Sequence, residues 1–173
     1  MANNKTNSAD YTDLTNQVED ITINAADSTL GVVEYTEDWD TWKGYYKSIP
    51  ELQAVIDKKA IWTIGKGYTT DEKTKKVLEK IRGNGKDTFN MIMDNAVKTY
   101  TIGGNFYAEV IKNSRGELRN LKPINPGSIK VIANEYGQII GYEQNSNIKT
   151  GQPQRWKPEE IFHLQWNRVA DEI

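Results

Sequence analysis

His163 is the only histidine in the chain, so paired-histidine zinc sites and the H-E-x-x-H metalloprotease helix are excluded. It lies in an alternating segment, where a lone imidazole more often makes a structural hydrogen bond than drives a reaction. Ser128 and Ser146 carry hydroxyls that acyl transfer uses, but neither sits in the G-x-S-x-G turn that exposes and activates a nucleophile. The stretch GKGYTT at 65–70 has the glycines and lysine of a phosphate loop without the spacing G-x-x-x-x-G-K-[ST], and those glycines follow a helical pattern instead of a strand. GGN at 103–105 fails the dinucleotide fingerprint for the same kind of reason. Asp38 and Asp40 lack the rest of a calcium loop, and without cysteine there is neither a disulfide nor a thiolate metal site. The expectation is a non-enzyme, with no catalytic, cofactor-binding or metal-ligating residue.

The elements that hold these residues follow from periodicity. Val32 to Tyr46 carries Trp39, Trp42, Tyr45 and Tyr46 at helix-compatible spacing, as an amphipathic segment packed on the body or an anchor for a neighbouring subunit. Ser48 and Glu51 read as a capping box around Pro50, with Leu52, Val55, Ile56 and Ala60 behind it, which predicts a helix over 49–64 stopped by Gly65 and Gly67. Thr69 with Glu72 suggests a second capping box for a basic helix over 71–82, closed by Gly83. Phe89, Ile92, Met93, Ala96, Val97 and Tyr100 share one stripe behind the cap candidates Asp87 and Thr88, so a helix over 88–101 should centre the core, with Lys98 on its opposite face.

After Gly103 and Gly104 the period changes to two. NFYAEVIK alternates Phe106, Ala108 and Val110 against Tyr107, Glu109 and Ile111, and turn residues divide the chain beyond Lys112 into a meander of short antiparallel strands. Strands are expected over 105–112, 117–124, 128–133, 138–144 and 161–166, with a flexible polar loop from Asn145 to Gln154. The fold class is α+β, helices first and a mostly antiparallel sheet second.

Charge is unevenly distributed. Residues 1–40 hold nine acids against the single base Lys5, leaving fifteen acids and twenty-one bases for the remainder, within a net charge of −2. Residues 1–30 are polar and acidic and are expected to be a mobile arm, because ordering them costs more entropy than their few apolar groups return. A body of about +6 can meet phosphate or an acidic protein, although so modest an excess is commonly only solubilising. No apolar run approaches the ~20 residues of a membrane helix, and the opening lacks a signal peptide's apolar segment, so no membrane partner is expected.

Against these negatives, two blocks resemble the signature stretches of tailed-bacteriophage portal proteins. The first runs from Gly104 and Asn105 through the A-E-containing strand Tyr107 to Val110 into Leu121, Pro123, Ile124 and Pro126. The second is the P-x-[ED]-I-x-H-[LI] block, matched by Pro158, Glu159, Glu160, Ile161, His163 and Leu164. The resemblance runs from about Trp39 to Ile173 and is weaker before Phe89. It implies that 31–173 is the wing-like α+β region of a head-tail connector subunit, and that His163 is a packing or hydrogen-bonding position. It implies partners as well: other portal subunits in a ring, capsid and scaffold proteins, the terminase motor, head-tail adaptors, and double-stranded DNA passing without sequence recognition. The location implied is the capsid portal vertex of a virion assembled in a host bacterial cytoplasm. Portal proteins continue into channel helices, clip and crown, so the chain is expected to be an excised fragment or a truncated product. Two alternatives remain: a small non-enzymatic adaptor or binding module with an acidic N-terminal arm, and a nucleic-acid enzyme domain using carboxylate-bound metal.

Overall fold

A computed structural model describes residues 33–35, 38–134, 136, 138–144 and 153–166. The expected arm over 1–30 and most of the loop from Asn145 lie outside the described residues. Four helices precede most of the strands, in the order β1 (Val33–Tyr35), α1 (Trp39–Ser48), α2 (Pro50–Ile64), α3 (Glu72–Leu78) and α4 (Phe89–Gly103). Then come β2 (Asn105–Lys112), β3 (Leu118–Ile124), β4 (Ile129–Ala133), β5 (Ile139–Gln144), β6 (Gln154–Trp156) and β7 (Ile161–Gln165). The fold is α+β, as the periodicity implied.

The strands do not form one meander. They make two antiparallel sheets, one ordered β3-β2-β7 and the other β1-β4-β5-β6. The division follows from the proline-rich segment after β2. Pro123 sits in β3, an edge strand that tolerates its missing donor, and Pro126 then opens a 3₁₀ turn over Pro126–Ser128 that carries the chain into β4 of the other sheet. A strand missed by the sequence reading, β6, closes the far edge through Tyr142↔Trp156.

β2 is covered on both faces. Phe106 and Ala108 join Ile81, Ile92, Ala96 and Leu121 in a core under the helices. Tyr107, on the other face, joins Ile129, Val131, Tyr142, Trp156 and Ile161 in a second core between the sheets. The molecule is therefore layered helices, three-stranded sheet, four-stranded sheet, with the alternation of β2 as the hinge of the arrangement.

Several local expectations are corrected. The capping box at Ser48 does not form: Ser48 is the last residue of α1, its hydroxyl donates to the Tyr45 carbonyl, and extended Ile49 alone separates α1 from α2. Thr69 does not cap α3. The Asp71 carboxylate does, accepting from the N–H groups of Lys73 and Thr74, and these bonds with the Thr74 hydroxyl hold its pKa below the ordinary aspartate value. That helix ends at Leu78 because Asn120, on β3, takes the chain over: its amide oxygen accepts from Arg82 and Gly83, and its amide nitrogen donates to the Gly83 carbonyl. Gly83 has φ 53, and a side chain there would run into Asp87, so only glycine fits. Thr88 caps α4 as expected, while Asp87 turns back to accept from Asn84.

The stripe of α4 is borne out, with Ile92, Ala96 and Val97 buried and Phe89, Met93 and Tyr100 packed against or beside the core. Lys98 is a correction. It does not face solvent alone but lies half-buried, 2.9 Å from Asp94 and 3.5 Å from Asp57 of α2. The Tyr46 hydroxyl donates to the same Asp57 at 2.8 Å, so one polar cluster ties α1, α2 and α4 together. The hydrogen bond to Asp94 raises the pKa of Lys98, and desolvation with the bond to Asp57 raises that of Tyr46.

Candidate functional site

The two sequence blocks that carry the resemblance meet on neighbouring strands. β2 pairs antiparallel with β7, in the register Asn105↔Gln165, Tyr107↔His163 and Glu109↔Ile161. His163 lies across the join. Its Nε2 is 2.8 Å from Asn105 Oδ1, an atom that only accepts, so Nε2 carries the proton. Nδ1 then accepts from the Tyr142 hydroxyl at 3.1 Å, and the imidazole stacks on Tyr107 with centroids 4.5 Å apart. One side chain thus spans both sheets.

Around it the buried polar groups are paired across strands. The Trp156 indole N–H donates to Glu109 of β2 at 3.3 Å, and Arg155 donates to buried Glu143 at 2.6 Å. Gly104 ends α4 in the left-handed region with φ 87, its N–H on the Tyr100 carbonyl, and its own carbonyl accepts from Trp166 just past β7. The junction of α4, β2 and β7 is therefore fixed at the backbone as well as through His163.

None of this resembles a reaction centre. Ser128 donates to the Asn125 carbonyl and accepts from Gln144, with no base beside it. Ser146 lies outside the described residues. Gly65 and Gly67 end α2 and approach no helix N-terminus built to receive phosphate. Asp38 flanks α1 and Asp40 lies in its first turn. Among the described residues no group of three His, Asp or Glu gathers as a metal site needs, and no helix is long and apolar enough to cross a membrane.

The surfaces are more informative. A groove of about 790 Å³ between α3 and the β2–β3 hairpin is lined by Lys73, Lys80, Arg82, Arg115 and Arg119, with Glu117 the one acid among its lining residues. On α2, Leu52 and Val55 were expected to be buried with Ile56 and Ala60, yet only the latter two are. Trp42 and Tyr45 of α1 are also half-exposed, in edge contact with each other at 5.9 Å, so only Trp39 of that aromatic set is buried.

No family model matches the sequence, and neither does any curated protein. Solved structures do match. A chain of the virion of a native gene transfer agent particle aligns with TM-score 0.66 and 17% identity, over 83% of this chain and 40% of that one. The chain is similar in fold to gene transfer agent particle proteins. A chain from the neck of the empty particle gives 0.61 and 18% identity over 86% of this chain and 42% of that one. One from the neck of the native particle, computed with C12 symmetry, gives 0.57 and 17% over 84% and 40%. This chain therefore spans about two fifths of the gene transfer agent chains it matches. At this identity the likeness is one of fold.

The sequence reading singled out His163 and Asn105 but not their partners. Tyr142 had no signal beyond its place in an alternating strand. Trp156 had one: an aromatic in Q-R-W two residues before Pro158, which a three-residue strand disguised.

Proposed function

We propose that the chain is a structural, non-enzymatic part of a phage-like particle and, in finer terms, the wing-like region of a portal ring subunit. In that role it stands at the capsid vertex with copies of itself, capsid and scaffold proteins around it, the terminase motor and later the head-tail adaptors docking on the ring, and double-stranded DNA passing non-specifically. The observation that carries the proposal is the β2–β7 pairing, in which the two portal-like blocks, 58 residues apart in sequence at Asn105 and His163, become one hydrogen-bonded unit. The fold likeness to chains of particle necks supports it from a different direction. A side chain saturated with structural bonds suits a part that transmits load and performs no turnover.

Negative-stain images of the product of the complete gene test this directly. Closed rings of about a dozen copies are expected, with the heterologous contacts a cyclic assembly needs. Monodisperse monomers would sink the portal assignment.

A further inference from the structure

Helix α2 is apolar on two sides, and only one of them is used. Ile56 and Ala60 are buried within the body, while Trp62 is 80% and Val55 66% exposed on the outward face. Val55 and Trp62 line an open groove of about 570 Å³ with Ala54, Lys58, Lys59 and Thr63. A contiguous apolar surface of this kind marks something that binds there. Its spacing is specific: Leu52, Val55, Lys59 and Trp62 follow one another at three, four and three residues, the seam of a two-helix contact.

The same spacing occurs once in the acidic N-terminal stretch. Tyr11, Leu14, Val18 and Ile21 are separated by three, four and three residues, among Asp10, Asp13, Glu19 and Asp20, with no base between Lys5 and Lys43. The groove has lysines on its rim and the segment has carboxylates, so charge and apolar pattern are complementary together. Geometry permits the contact within one molecule. Residues 22–32 join Ile21 to β1 and reach at most about 36–40 Å, comparable with the width of a body of this size. β1 leads directly into α1, which packs on α2. A tether this short gives an effective concentration on the order of millimolar, well above that of free copies at micromolar protein.

We propose that residues 11–21 wind into a helix and cover the outward face of α2 in the same chain, Tyr11, Leu14, Val18 and Ile21 meeting Leu52, Val55, the Lys59 stem and Trp62. The segment is the face's resident occupant, and any protein that docks on α2 must displace it. This is independent of the portal assignment.

The absence of cysteine from the sequence makes the test clean. In the full chain, Val55→Cys is combined with Leu14→Cys or with Val18→Cys, which between them serve a parallel and an antiparallel helix pair. Each is incubated at micromolar protein with oxidised glutathione, beside a Val18→Cys/Arg115→Cys control on the distant hairpin. At least one α2 pair should close as a monomeric disulfide at least tenfold faster than the control, and Trp62→Ser should slow that closure several-fold. Covalent dimers through Val55→Cys alone would make a second copy the occupant and overturn the proposal. Closure no faster than the control, with the free thiols still titratable, would overturn it too.

Discussion

The strand β2 and the helix α2 have similar numbers of large apolar side chains and opposite fates. On β2, both faces are buried within the chain, and the polar groups between the sheets bond to one another across strands. On α2, one face is buried and the other stands in solvent. The difference shows that periodicity locates an apolar face but not the partner that covers it. Where the partner is the chain's own next element, as for β2 and its hairpin neighbour β3, folding explains the pattern. Where no described element lies opposite, the pattern is evidence of docking.

Substitutions in the β2 core should break this comparison most visibly. Phe106→Ala removes a fully buried ring between α4 and the sheet and should destabilise by roughly 3 to 5 kcal/mol, with Ile92→Ala close behind at roughly 2 to 5, read from chemical denaturation midpoints. If either cost as little as a surface change, the layered packing would be wrong.

His163→Ala should come next. It deletes two hydrogen bonds and a stacked ring across the sheets, worth roughly 1 to 3 kcal/mol, while no hydrolytic activity should exist for it to abolish. A turnover lost with the imidazole would overturn the structural role.

The polar cluster of α1, α2 and α4 should give an intermediate effect. Lys98→Ala is expected to lower stability by roughly 0.5 to 1 kcal/mol, since its ion pairs are partly open to water. Lys98 has a raised folded-state pKa, so its contribution is complete below the ordinary lysine value of 10.5 and is lost as pH rises through the folded pKa. The neutral Tyr46 hydroxyl is favoured in the same way, from the ordinary tyrosine value of 10.0 upward. Denaturation midpoints should therefore fall between about pH 10 and 12 more steeply in the wild type than in Lys98→Ala, and parallel curves would remove the cluster from the account.

Trp62→Ser should have the smallest effect, within about 0.5 kcal/mol of wild type in global unfolding, despite removing the larger side chain. A segment lying over α2 by marginal contacts detaches before the body unfolds, so its loss registers in local protection and not in the midpoint. A large global shift would mean that α2 is a core helix on both sides.

Much of the fold was legible because its signals are local. The stripe of α4, the glycine stop at Gly104 and the alternation of β2 each depend on residues within a few positions of one another. What escaped was set at long range. Asn120 ends the segment after α3 from 37 residues away, which no capping pattern near Thr69 or Gly83 reveals. Three-residue strands such as β1 and β6 have too little sequence to alternate and exist because a neighbouring edge accepts them. The candidate site was half-legible: His163 and Asn105 stand in recognisable blocks, whereas Tyr142 and Trp156 reach them only after the second sheet has folded over the first.

The pairing of β2 with β7 has a further consequence during synthesis. The helices, β2 and its hairpin partner β3 emerge first and can associate at once, since their contacts are short in sequence. One edge of β2, and the face that carries Tyr107, must wait until about fifty more residues have left the ribosome. Through that interval the nascent chain presents an unpaired strand edge beside an uncovered aromatic face, the surface on which neighbouring chains aggregate. Chaperone demand should therefore peak between the appearance of Lys112 and that of Gln165, and fall once the late strand closes the edge.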